Sequence, residues 1–382
     1  MRIHYNNETL YKAFVSIIVL MYMLESTALT DFNDSIVHDS LQILALMIAF
    51  IYIVRRKYSL KELGMLFILN SIGLFCFISS GLTGLFMTML AITLLPAESL
   101  DRVLNMIFKE EFTIFIIIVT LSFCGILDNQ IVDINKGLYI ANAYSLGFNH
   151  PNMLAAQGTS IVLLYLCVNR NKLKNRHYII SMFSIVAIYF FARGRTSLML
   201  GIMAIFIIMI RNQKMVTNII LKILPWMYII VFIVLIACMA AYAKLGENTT
   251  MVRIINDSLF NGRIGLAYRS LLVYPITAFG KVIDTSIWNE YQYYALDNGQ
   301  VMVLLEYGIM GFLAYFWVIQ RTLKKIKMEK EVVFGIVIIV FLVWSMFEGT
   351  MYFIGKNFAL LFLGTSNYML NPKWDKRRKY DS

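Results

Sequence analysis

The chain has 382 residues, 59% of them hydrophobic and only 15% charged, with a formal net charge of +11. A water-soluble domain of this size needs far more charge to cover its surface, so the composition excludes that class and implies one integral membrane domain over 1–382. In a soluble chain the positive balance would suggest nucleic acid; here membrane topology accounts for it, and no nucleic-acid partner is expected.

Apolar runs of about 15 to 25 residues recur along the chain, the length at which a helix crosses roughly 30 Å of hydrocarbon. Twelve spans are predicted, at 11–29, 40–54, 62–79, 82–97, 112–127, 151–168, 178–192, 196–210, 216–243, 298–319, 333–353 and 355–370, giving an all-α polytopic bundle. Only Ser79-Ser80-Gly81 separates the third from the fourth, and only Arg193-Gly194-Arg195 the seventh from the eighth, so either pair admits a merged or re-entrant reading. The first run lacks a small-residue cleavage site and further spans follow, so no cleavable signal peptide is expected. Cys76, Cys124, Cys167 and Cys238 each stand alone in an apolar run, without the spacing of a metal site or disulfide framework.

Charge sets the expected orientation. With the N-terminus in the cytoplasm, twelve spans put Arg55-Arg56-Lys57, 169–177, 211–214, 321–330 and the C-terminal tail inside, together with 25 of the 34 Lys and Arg. That asymmetry orients a bundle during insertion and places both termini in the cytoplasm. The acidic stretch 30–39, with Asp31, Asp34 and Asp39, then falls outside as a solvated face.

The nine basic residues left outside are Lys136, Arg193, Arg195, Lys244, Arg253, Arg263, Arg269, Lys281 and Lys356. Five of these lie in one outer loop, 244–297, which carries enough apolar residues for one or two short amphipathic helices on the membrane surface. Singly, each arginine fits snorkelling to lipid phosphates; as a group they fit an anion-binding site. A second outer loop, 128–150, ends in GFNHPN, where Pro151 opens the sixth span. Asn149, His150 and Asn152 there suit either helix capping or a grip on sugar hydroxyls.

GFNHPNMLAAQG, then ARGRTSLMLG, then NGRIGLAYRSLLVYPITAFG, then DNGQVMVLLEYGIMG follow one another between about residues 140 and 315. In order and spacing they resemble the O-antigen polymerase and O-antigen ligase superfamily, and are most similar to polymerases of bacterial capsular and exopolysaccharide clusters. The spacing from Arg269 to Gly280 also resembles the arginine-to-glycine spacing of the polymerases' outer loops. The resemblance implies transfer of an oligosaccharide from an undecaprenyl pyrophosphate carrier to a second lipid-linked oligosaccharide, at the outer face of the bacterial cytoplasmic membrane. It implies membrane lipids, a flippase and a chain-length regulator of the same pathway as partners, and no cofactor or metal.

The residues support that chemistry separately. An arginine offers phosphate a planar, permanently charged fork, so Arg193, Arg195, Arg263 and Arg269 suit the pyrophosphate and the charge that builds on it as the glycosidic bond breaks. The chain lacks GxSxG, a P-loop, and the DxD that would point to a metal-held nucleotide sugar. Family ligases carry a histidine, taken as the base, where this chain has Asp297. A carboxylate can also act as base, and an aspartate at that point can equally cap the following helix. His150 is a second candidate base; Asn298 and Glu306 are expected beside Asp297 in the same cavity. Glu25, Glu306 and Glu348 lie in or near apolar spans, where ionisable groups usually face the bundle interior. A ligase acting on finished polymer and a lipid-linked oligosaccharide flippase are the alternative functions, though a flippase should show internal repeats, and none is visible.

Overall fold

The computed structural model describes residues 7–29, 32, 35–96, 99–135, 140–246, 249–283 and 296–365. Asp31, Asp34, Lys136 and the C-terminal tail lie outside them. The described chain is a helical bundle with one small two-stranded sheet.

α1 (Asn7–Glu25), α2 (Ile36–Arg55) and α3 (Leu60–Ser80) are long apolar helices, each close to a predicted span. α3 opens on a capping box, with Ser59 and Glu62 exchanging bonds, and closes where Gly81 takes the left-handed conformation (φ 74°). The chain then reverses into α4 (Gly84–Leu94), so the third and fourth apolar runs are two helices packed on each other. At 11 residues α4 reaches only about 16 Å, too short to cross a bilayer. α5 (Leu100–Phe123) begins well before the predicted span because the polar stretch at its start, with Asp101, Arg102, Glu110 and Glu111, is helical too.

The predicted 128–150 loop contains an antiparallel hairpin: β1 (Ile131–Asn135) pairs with β2 (Ile140–Tyr144). α6 (Pro151–Val168) matches its predicted span at both ends. It is the central helix, with 78% of its apolar window enclosed against 17% for α2. Small residues permit this: a Cβ on Gly158 would lie 2.6 Å from Ile188 Cδ1, so the neighbouring helix approaches closely only because that position is bare. α7 (Asn175–Ala192) and α8 (Arg195–Met209) are separated by Arg193, left-handed at φ 54°, and Gly194, which resolves the second ambiguous pair as two helices. α9 (Lys214–Ile223) and α10 (Met227–Leu245) continue through a short 3₁₀ turn at Pro225 to make one long apolar path.

The described part of the 244–297 loop holds short helices, as expected: α11 (Thr250–Arg253), a π turn, and α12 (Arg263–Val273). The tenth span is broken: α13 (Gly299–Glu306) ends at Tyr307, and α14 (Gly308–Glu329) follows. Gly280 causes the break. Its backbone lies against the Glu306 carbonyl, while Ile309 and Met310 donate to Thr277 and Ala278 at 3.0 and 2.9 Å. The last two predicted spans do not form as read. α15 (Val332–Trp344) is followed by an irregular stretch, and 358–365 is a 3₁₀ segment. Phe358 to Leu363 are almost wholly covered by protein, so their apolarity reflects burial inside the bundle rather than contact with lipid. Lys356, expected outside, is fully buried for the same reason.

The two ends of the bundle separate the polar residues. At one end Arg102 meets Glu8 at 2.7 Å, Arg170 meets Asp101 at 2.7 Å and Glu331 at 3.1 Å, and Arg56 donates to the Leu94 carbonyl at 3.2 Å. At the other, Ala28 donates to the Gly147 carbonyl at 2.9 Å, Asn149 to Ser26 at 3.0 Å, and Ser79 to Gly280 at 2.6 Å. Between the ends, Phe50, Phe67 and Phe183 are 67, 70 and 75% exposed, a belt that lipid accepts and water would not. Five helices among the described residues are long and apolar enough to cross a membrane. The chain is a membrane protein.

Candidate functional site

The turn at Ser345–Phe347 gathers the site. Gly299 donates its backbone N–H to the Ser345 carbonyl at 2.7 Å, Gln300 Nε2 to Ser345 Oγ at 2.8 Å, and Asn298 Nδ2 to the Met346 carbonyl at 3.1 Å. These bonds fasten the start of α13, and therefore Asp297, to the turn. From the other side Phe260 stacks on Phe347, ring centres 4.8 Å apart and planes at 10°, which brings the π turn and the start of α12 to the same place. Asn256 Oδ1 then accepts from Gly265 N at 2.8 Å and caps α12. Arg263 is the first residue of that helix.

The result is an ion pair, with Arg263 Nε 3.1 Å from Asp297 Oδ2 and the side chains 11% and 26% exposed. The contact is electrostatic, since the Nε–H is not aimed along a hydrogen bond. His150 lies close enough to feel both charges. Burial pushes the Asp297 carboxyl above its ordinary 3.8, with Arg263 and His150 pulling back. His150 is exposed at the edge of the site, and the partial desolvation it meets there holds the imidazole below its ordinary 6.5; Asp297 opposes that shift and Arg263 adds to it. His150 Nδ1 accepts from the Asn152 backbone at 3.1 Å, so the neutral ring carries its proton on Nε2. A carboxylate with raised pKa, a fixed cation and a neutral imidazole thus stand together, able to take a proton and to hold an anion.

Several expectations change here. The cap of α13 is Asn298 and not Asp297: Asn298 Oδ1 accepts from Val301 N at 3.1 Å, and the side chain is 1% exposed. Asp297 is thereby freed from the capping role, and Asn298 holds the helix start rather than facing substrate. Arg269 is not brought to the pair. Six residues along α12 is a rotation of about 240°, and Arg269 Nη2 donates instead to Tyr242 on α10 at 3.2 Å. Glu306 sits at the far end of α13, about 13 Å along the helix from Asp297, beside the Gly280 crossing.

His150 caps α6 from an extended conformation, Asn152 supplies the capped N–H, and Asn149 is exposed beside them. Arg193 lies over the Phe190 ring at 5.2 Å, with Nε unpartnered, and Arg195 is exposed at the start of α8. Gly194 between them packs against Ala155, where a Cβ would come within 2.6 Å of the alanine Cβ. That seats the turn carrying both arginines against α6, at a residue five positions after His150. Two groups join from beneath that sequence reasoning did not assign to the site. Glu348 feels Asp297 and Arg263, and Lys356 feels Glu348. Their signal in the sequence was only that of ionisable residues in apolar runs.

The architecture defines a helical membrane bundle with a polar site at one end. No protein-family model, curated protein or solved structure matches the chain.

Proposed function

We propose that this chain is a polysaccharide polymerase, joining polyprenyl-pyrophosphate-linked oligosaccharide repeat units at the outer face of the bacterial cytoplasmic membrane, with both termini in the cytoplasm. The observation that carries the reading is the Arg263–Asp297 pair beside neutral His150 at one end of a membrane bundle. In the proposed reaction an acceptor hydroxyl oxygen attacks the anomeric carbon of the donor sugar. The bond from that carbon to the phosphate oxygen breaks, its electron pair leaves with the polyprenyl pyrophosphate, and the hydroxyl proton passes to Asp297. Arg263 stabilises the departing charge, while Arg193 and Arg195 attract the pyrophosphate across the same end of the bundle.

The test uses purified protein in nanodiscs with lipid-linked repeat units. Wild-type protein should make polymer, and Asp297→Asn should still bind donor but turn over at least about a hundredfold more slowly, the range of a general base. Near wild-type turnover by Asp297→Asn would remove the carboxylate from the reaction.

A further inference from the structure

The end of α1, the start of α2, the α3–α4 turn and residues 353–355 enclose a cavity of about 500 Å³. Its rim is a chain of polar side chains. Glu25 Oε1 lies 3.0 Å from His38 Nε2, and Gln42 Nε2 donates to Thr83 Oγ1 at 3.2 Å while standing 3.4 Å from the same histidine nitrogen. The opposite wall is apolar and aromatic, with Tyr22 and Phe353 among its residues. Gly84 keeps the wall open, since a Cβ there would collide with the Phe353 ring. Among the described residues no arginine or lysine forms the lining itself, but Lys356 stands behind the wall, Nζ 3.7 Å from Met153 Sδ and 5.7 Å from the centre of the Tyr22 ring, with Glu348 and Glu111 as its counter-charges.

These features specify a class of ligand. A sugar ring presents an apolar C–H face that stacks on aromatic rings and a polar edge of hydroxyls that both donate and accept. Glu25, His38, Gln42 and Thr83 supply the mixed donors and acceptors for that edge, and Lys356 behind the wall already answers the charges of Glu348 and Glu111 rather than standing open to a phosphate. Met153 forms part of the wall three residues after His150, so the cavity and the Arg263–Asp297 site lie against the same first turn of α6.

We propose that this cavity binds a neutral glycan, and that within the transfer reaction proposed above it receives the acceptor saccharide while Arg263 faces the donor pyrophosphate. The second half of the statement rests on that functional reading; the first does not. Two measurements separate them. In the first, the full chain in nanodiscs is titrated with dodecyl glucoside, galactoside and maltoside, with dodecyl phosphocholine as the lipid-headgroup control. At least one glycoside should bind more tightly than the phosphocholine, and Gln42→Ala, Thr83→Val and Phe353→Leu should each weaken it about tenfold, the order of one lost hydrogen bond or stacked face. Thermal melting confirms that each variant is folded. If no glycoside binds, if phosphocholine binds equally, or if all folded variants bind as wild type, the cavity is a lipid crevice and the inference fails.

In the second, the best glycoside is offered as acceptor, which it alone can be since it has no pyrophosphate to lose, with lipid-linked repeat units as donor. The same variants should raise the glycoside KM about tenfold and leave the donor KM within twofold. Glycoside binding that depends on these residues in a wild-type protein without transferase activity would keep the glycan site and overturn the polymerase reading. Transfer with unchanged glycoside KM in every variant would do the reverse.

Discussion

Neighbouring residues 297 and 298 have opposite roles in the structure, and substitution should separate them. Asn298 is buried at 1% exposure, caps α13 through Val301 and donates to the Met346 carbonyl. Asn298→Ala removes a cap of about 1 kcal/mol and strands a buried carbonyl at about 1–3 kcal/mol. The total, about 2–4 kcal/mol, should appear as a melting temperature several degrees below wild type in purified protein. Asn298→Asp keeps the capping oxygen but sets a buried carboxyl against the Met346 carbonyl, so it should be destabilised at least as much as Asn298→Ala. Asp297→Asn retains an oxygen near Arg263 and removes a charge that burial already opposes, so it should cost less stability than Asn298→Ala, while turnover collapses. Thermal melting should therefore place Asp297→Asn nearest to wild type of the three preparations, while turnover places it lowest. Equal destabilisation at both positions, or full turnover in Asp297→Asn, would refute the assignment of scaffold to one residue and chemistry to the other.

Turnover should rise with pH as Asp297 ionises, with a midpoint above the ordinary 3.8, because burial raises that carboxyl more than the neighbouring Arg263 charge lowers it. Since His150 is held below 6.5, its protonation should add no second limb above that pH, and a limb there lost in His150→Gln would contradict the neutral assignment. Arg263→Ala and Arg263→Lys should both stop polymer formation and leave single lipid-linked units to accumulate, because lysine lacks the bidentate fork; Arg269→Lys should be milder, since that residue is turned toward Tyr242. Gly280→Ala should reduce folded yield sharply, as a Cβ would strike the Glu306 carbonyl from a backbone at φ 82°. Cysteines at Asn149 and Lys324 should be labelled from outside and inside respectively; the reverse pattern would invert the proposed orientation.

Hydrophobic runs and their breaks determined the membrane class and most helix positions, because lipid demands a continuous apolar stretch whatever it packs against. α6 matched at both ends since Pro151 marks its start and polar Asn169 its finish. Arg263 and Asp297, which the structure pairs, both fall in the polar stretch between two apolar runs that the sequence marks plainly. Hydropathy could not distinguish a crossing helix from an enclosed segment. Hydropathy therefore predicts two spans, 333–353 and 355–370, where the described residues form one helix and a buried irregular stretch. Long-range placement was also beyond the linear chain. Asp297 meets Arg263 only because the Ser345–Phe347 turn holds α13 by three hydrogen bonds and the preceding π turn by a stacked ring. Which of Asp297 and Asn298 caps the helix, which face of α12 Arg269 occupies, and the joining of Glu25, His38, Gln42 and Thr83 around one cavity depend on contacts between segments far apart in sequence. Local propensity and spacing carry no information about those contacts, and the tertiary structure alone decided them.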